Sequence, residues 1–152
     1  MHFYNFLKEE INLLKIKKEK ENKNLELIIK INDNVETLSI NSDKVRIKQV
    51  IKNLLNNAFK FTEKGKIEIS FFIKNENCLQ FSVKDTGIGI KKEHTNIIFI
   101  RFRKVEENVF QNYQGAGLGL TISKKIIELL GGKMWLTSEI NKGSTFYFTI
   151  PI

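Results

Sequence analysis

Apolar residues in this chain change period several times, and each change marks an element. Between Asp43 and Phe61, Ile47, Val50, Ile51, Leu54, Leu55 and Ala58 recur at i, i+3, i+4, i+7, i+8 and i+11, the spacing of one buried helix face. Ser42 or Asp43 can cap its start. At about 100° per residue, Asn53, Asn57 and Lys60 fall on a second stripe about 125° from the apolar one, so their amides and ammonium share a face. Residues 4 to 22 carry Phe6, Leu7, Ile11, Leu14 and Ile16 at helical spacing among Lys and Glu, fading into the polar run Lys17 to Asn24.

Shorter β-prone runs flank these helices. Leu25 to Ile31 and Val35 to Ile40 read as strands separated by Asn32-Asp33-Asn34. Lys66 to Lys74 and Cys78 to Asp85, joined by Asn75-Glu76-Asn77, read as a hairpin, and the second strand runs into Asp85-Thr86-Gly87-Ile88-Gly89-Ile90. From Lys91 to Gln114 no clean period survives, apart from an apolar burst at Ile97 to Phe102; a long irregular stretch inside a domain suits a functional loop. Gly115 to Leu120 then opens a helix with Ile122, Ile126, Ile127, Leu129 and Leu130, stopped by Gly131-Gly132. Met134 to Ser138 and Ser144 to Ile150 form a closing hairpin around Asn141-Lys142-Gly143. The element order predicts an α+β fold: a two-layer sandwich with about three helices on one face of a mixed, mostly antiparallel sheet.

Composition narrows the class. With 152 residues, 41% hydrophobic and 28% charged, the chain fits one folded domain and excludes disorder throughout. The net charge of +8 admits an anionic partner without choosing among phosphate, nucleic acid and lipid. One cysteine, Cys78, excludes an internal disulfide, and with only two histidines a structural zinc site is out of reach. A cytoplasmic setting fits, and no run approaches the roughly 20 apolar residues of a membrane span, nor does the N-terminus resemble an export signal.

Five of the nine glycines, at 87, 89, 115, 117 and 119, lie in two loops. Glycine clustering brings backbone close to a ligand, and free amides at a helix start suit a phosphate; a hinge with tight helix packing fits the second loop equally well. No Gly-Lys-Ser/Thr follows, which excludes a P-loop, and G-x-G-x-G after a loop is not the dinucleotide fingerprint. Asn53 and Asn57 could offer oxygens to magnesium, or simply form a solvated helix face. Asp85 could accept a hydrogen bond from an exocyclic amine such as that of adenine, or only end its strand in a turn.

These pieces occur in a particular order: Asn53-Leu54-Leu55-Asn56-Asn57-Ala58-Phe59-Lys60-Phe61-Thr62, Asp85-Thr86-Gly87-Ile88-Gly89, Ile98-Phe99 to Phe102-Arg103, and Gly115 to Leu120. In order and spacing they resemble the N, G1, F and G2 boxes of the catalytic and ATP-binding domain of sensor histidine kinases, in the GHKL superfamily that includes gyrase and MutL-type ATPases. The resemblance implies a Bergerat ATP-binding fold, with residues 41–152 carrying the boxes and 1–40 a lead-in helix and strands. Arg101-Phe102-Arg103-Lys104-Val105 further resembles hybrid kinases.

The resemblance implies ATP and magnesium as ligands. Asn57 is matched to the principal magnesium ligand with Asn53 beside it, Lys60 to a phosphate contact, and Phe61 to an aromatic against adenine. Asp85 is matched to the carboxylate that reads the adenine amine, with Gly87, Gly89 and Ile90 forming the adjoining backbone and apolar wall and Thr145 a water-mediated adenine contact. Leu118, Gly119 and Leu120 would offer main-chain N–H groups to the phosphates, with Gly115 and Gly117 in the same ATP-binding loop. Phe99 to Gln114 would form a lid from which Arg101 or Arg103 reaches the terminal phosphate.

In this family the γ-phosphoryl group passes to a histidine on a separate dimerisation domain of the same parent kinase, and onward to a response regulator receiver domain. This chain has no His-Glu-x-x-x-Pro motif; His2 lacks that context, and His94 is expected to be an ordinary surface histidine. The chain alone is therefore expected not to autophosphorylate, whether it is a fragment of a kinase, membrane-anchored or not, or a stand-alone subunit. Ile100 and Lys91 depart from the acid or proline and the proline common at those places. A nucleotide-sensing or anti-sigma-like binding module is the alternative. Nucleic-acid binding ranks last, for want of a zinc finger or RNP aromatics.

Overall fold

A computed structural model describes residues 3–31, 38–99 and 117–152. The elements are α1 (Phe3–Lys20), β1 (Asn24–Ile31), α2 (Lys44–Lys60), β2 (Lys64–Asn75), β3 (Cys78–Asp85), a 3-10 turn (Lys92–His94), α3 (Gly117–Leu129), β4 (Met134–Glu139) and β5 (Gly143–Pro151).

α2 starts where the sequence allows a cap: Oδ1 of Asp43 accepts the Arg46 N–H at 3.1 Å. Its periodic stripe, from Ile47 to Ala58, is buried. α3 stops at Gly131, whose φ of +86° continues the chain in a left-handed conformation.

The strands form one five-stranded sheet in the order β1-β2-β3-β5-β4. β1 runs parallel to β2, with α2 as the crossover, and the other pairs are antiparallel. The pleat sends Ile67, Ile69 and Phe71 of β2, Leu79, Phe81 and Val83 of β3, and Phe146, Phe148 and Ile150 of β5 into one core with the apolar faces of α1 and α2. Phe6, Leu7, Ile11, Leu14 and Leu25 join that core, so the lead-in residues are continuous with it.

One expected strand is not formed. Of Val35 to Ile40, residues 35–37 lie outside the described residues, Ser39 makes an isolated bridge, and Ile40 turns into the core just ahead of the Asp43 cap. The described sheet therefore has five strands where six were expected.

Candidate functional site

Alternation along two neighbouring strands builds the site. On β3, Leu79, Phe81 and Val83 face the helices, and the next inward position is Asp85, which is 6% exposed. On β5, Phe148 and Phe146 are followed toward the turn by Ser144, also inward. The apolar rows thus end in a carboxylate and a hydroxyl at one end of the core.

There a cavity opens, lined by Asn57, Ala58 and Phe61 of α2 and its end, Asp85, Ile88, Gly89 and Ile90 of the following loop, Ile98, Leu120 of α3, and Ser144 and Phe146. Most of this wall is apolar, so a flat ligand would lose water on its faces, and the few polar groups would set its orientation.

Asp85 is the principal polar group. Its Oδ1 accepts the N–H groups of Gly87 at 2.9 Å and Ser144 at 3.3 Å. Oδ2 has no partner among the described residues. Burial pushes the carboxyl above the usual carboxylate range, and the Gly87 and Ser144 hydrogen bonds partly offset that. Nδ2 of Asn57 is also buried and unpartnered among the described residues. An unsatisfied buried amide costs free energy, and a ligand that pairs with it recovers that cost.

The loop after β3 is held by backbone contacts. Phe61 O accepts the Ile88 N–H at 3.2 Å, and a Cβ on Gly87 would collide with that same carbonyl. Gly89 has φ +71° and lies against the Glu139 carbonyl, where a side chain has no room. Ile90 N–H donates to Ser138 Oγ at 2.8 Å, Ser138 Oγ donates to Gly143 O at 3.0 Å, and Ser144 Oγ lies 2.7 Å from Ser138 Oγ. A serine relay beneath the cavity therefore fixes the Ile90 wall.

The structure thus brings Asn57, Phe61, Asp85, Gly89, Ile90 and Leu120 onto one cavity, with Gly87 just behind it. It does not bring Thr145 there. Thr145 stands one residue out of phase with Ser144 and Phe146 and takes the opposite face of β5, so Ser144 is the inward hydroxyl. Asn53 is also elsewhere: its Nδ2 donates to Ser123 Oγ at 2.9 Å, and it lines a separate groove with Lys52, Asn56 and Gly119. A Cβ on Gly119 would lie 2.5 Å from the Asn53 amide atoms. Lys60 is exposed, with its ammonium 5.6 Å from the Phe61 ring centroid. Phe99 packs edge-on against Phe146 with centroids 6.2 Å apart, beneath the Lys124 ammonium. Gly117 and Leu118 open α3. Arg101, Arg103, Gly115 and most of the expected lid lie outside the described residues.

Ser138 and Ser144 were not singled out from the sequence, and Ile88 and Ile98 stood in the G1 and F boxes without a role. Counting back by twos from Phe148 finds Ser144. Nothing in the local pattern distinguishes Ile98 from a core residue. His94, expected at the surface, has its Nδ1 buried without a partner among the described residues.

Among the described residues no His, Cys, Asp and Glu gather into a metal cage. An amide on the cavity wall suits a hard cation that draws its other oxygens from phosphate and water.

Residues 42–152 match the family described as histidine kinase-, DNA gyrase B-, and HSP90-like ATPase. The chain belongs to that family. Similar proteins within it include histidine kinases. Hybrid signal transduction histidine kinase B of Dictyostelium discoideum is 43% identical over 133 residues, covering 85% of this chain and 7% of that protein. Histidine-protein kinase BarA of Escherichia coli K12 is 36% identical over 134 residues, covering 86% of this chain and 14% of BarA. The solved catalytic domain of histidine kinase ThkA superposes with a TM-score of 0.81 at 35% identity, covering 99% of this chain and 93% of that one. Full-length ShkA in complex with AMPPNP superposes at 0.82 with 26% identity, covering 99% of this chain and 30% of ShkA. The chain therefore corresponds to a small part of the curated relatives and to nearly all of an isolated kinase catalytic domain. It is an ATP-binding catalytic domain of the histidine kinase type. Among the described residues no helix is long and apolar enough to cross a membrane.

Proposed function

We propose that the chain binds magnesium-ATP in the cavity between α2, the loop after β3, β5 and the start of α3, and presents the γ-phosphoryl group to a histidine on a dimerisation domain of the same parent kinase. Residues 1–152 then act as one domain in the cytoplasm, and a response regulator receiver domain receives the phosphoryl group later. ThkA, solved with response regulator TrrA, offers a precedent for that partner class.

One observation carries the reading: the carboxylate of buried Asp85, with main-chain N–H groups on Oδ1 only, and Asn57, whose buried Nδ2 has no partner among the described residues, line one apolar cavity. Oδ2 of Asp85 accepts a hydrogen bond from the exocyclic amine of adenine. Phe61, Ile88, Ile90 and Ile98 exclude water from the ring. Asn57 turns its amide oxygen to magnesium, which when bound neutralises phosphate charge. The N–H groups at the start of α3 hold phosphate oxygens through free donors and the helix dipole. Asn53, already tied to Ser123, braces α3 against α2 on the phosphate side. Catalysis by this chain is positioning and charge compensation, since the nucleophile is supplied from elsewhere.

The test adds a histidine-bearing dimerisation domain and γ-labelled ATP to the chain. Label on the histidine supports the reading; nucleotide binding with no transfer to any such domain favours a sensing module. The chain alone is expected to take up no label.

A further inference from the structure

We propose that Lys23 is a positioning residue for the purine end of the site, acting through the turn that carries Phe61. The inference rests on the nucleotide-binding reading above. Lys23 precedes the residues 42–152 that match the family, and lies in the turn between α1 and β1.

Its side chain is only 10% exposed. Nζ donates to Phe59 O at 2.7 Å and Thr62 O at 3.4 Å, and lies 4.4 Å from the Phe59 ring centroid. Glu63 is 3.6 Å away but 83% exposed, so that ion pair contributes little. The ammonium thus closes the C-terminal end of α2, where unpaired carbonyls and the negative end of the helix dipole meet. Phe59 and Thr62 are 1% and 0% exposed, so water is a poor substitute donor there. Lys17 also faces the Phe59 ring, at 4.8 Å, but donates to neither carbonyl.

The two carbonyls flank Phe61 on both sides. Phe61 offers its ring to the cavity and its own carbonyl to the Ile88 N–H at 3.2 Å, and Ile88 is the next wall residue. A continuous path therefore runs from the Lys23 ammonium, through carbonyls 59 and 62, to the two side chains that flank a bound base. A helix cap alone would stabilise the fold without touching affinity. A positioning residue changes the affinity for the base.

Lys23→Met keeps the apolar stem over Phe59 and removes the donors. Adenosine and ATP are titrated against the unmodified chain, Lys23→Met, Lys23→Arg and Glu63→Gln, at a temperature where thermal melts show each folded. Lys23→Met is expected to weaken both ligands by the same factor, about tenfold. Lys23→Arg should stay within about threefold, and Glu63→Gln should match the unmodified chain. Unchanged affinities in a less stable Lys23→Met, or a loss confined to ATP, would overturn the proposal. If Lys23→Met does not fold, the Lys23 ammonium resonance of the unmodified chain decides: it should shift on saturation with adenosine, and an unmoved signal overturns the assignment. Failure of the unmodified chain to bind adenosine or ATP would instead refute the nucleotide reading itself.

Discussion

The backbone N–H of Ser144 donates to Oδ1 of Asp85 at 3.3 Å, across the pairing of β3 with β5. With the Gly87 N–H on the same oxygen, it orients the carboxylate and leaves Oδ2 for a ligand. Asp85→Asn keeps an acceptor for both N–H groups and removes a buried charge, but offers an amide N–H donor where the adenine amine must donate. Thermal stability is expected to hold or rise, while adenosine affinity falls by at least about tenfold, the size of one hydrogen bond to a charged acceptor. Calorimetry and a thermal melt on the same sample check both halves.

Acidity separates the same two effects. Burial raises the Asp85 carboxyl in the folded chain above its unfolded value, so the native state holds the proton more tightly. Its contribution to stability therefore grows as pH falls from the folded pKa toward the unfolded one, and is a penalty at neutral pH. Purine binding runs the other way, because the protonated acid is a poorer acceptor. Adenosine affinity should drop on acidification at a pH above the ordinary Asp range near ~3.9. A pH series of titrations should show this step, and Asp85→Asn should abolish it.

Ser144 and Thr145 test the strand phase. Ser144→Ala removes the hydroxyl 2.7 Å from Ser138 Oγ and loosens the relay that holds Ile90. A stability loss of about 1 kcal/mol and roughly fivefold weaker adenosine binding are expected. Thr145→Val, on the outer face, should leave affinity within about twofold. The reverse ranking in parallel titrations would place the inward hydroxyl at the wrong residue.

Gly119→Ala probes the phosphate end. Intrinsic propensity favours alanine in a helix by about 1 kcal/mol, but here its Cβ would strike the Asn53 amide held by Ser123. ATP affinity is expected to fall by at least about tenfold while adenosine affinity is retained. Equal loss of both ligands would show general unfolding rather than a displaced α3.

Much of this architecture was legible locally. α2 declared itself because one packed face repeats at helical period, and the closing hairpin because its turn carries Asn and Gly where the backbone needs them, at Asn141 and Gly143 with φ +63° and +113°. The parallel pairing of β1 with β2 was not legible, since it depends on α2 crossing between them rather than on either strand's own residues. At the site, Asp85 could be read because it closes a strand just before Gly87 and Gly89. Thr145 was matched by motif position, whereas the pleat selects Ser144. Asn53 and Asn57 share a helix stripe, yet Gly119 and Ser123 of α3 close on Asn53 while Asn57 lines the cavity with Leu120, so they face different openings. No spacing rule sees a neighbouring helix.

The most direct test is a titration of the chain with a fluorescent ATP analogue, with and without magnesium, repeated on Asn57→Ala. Saturable binding at one site, strengthened by magnesium and losing that dependence in the variant, is the expected result. An absence of binding, or binding indifferent to both the metal and Asn57, would contradict the account.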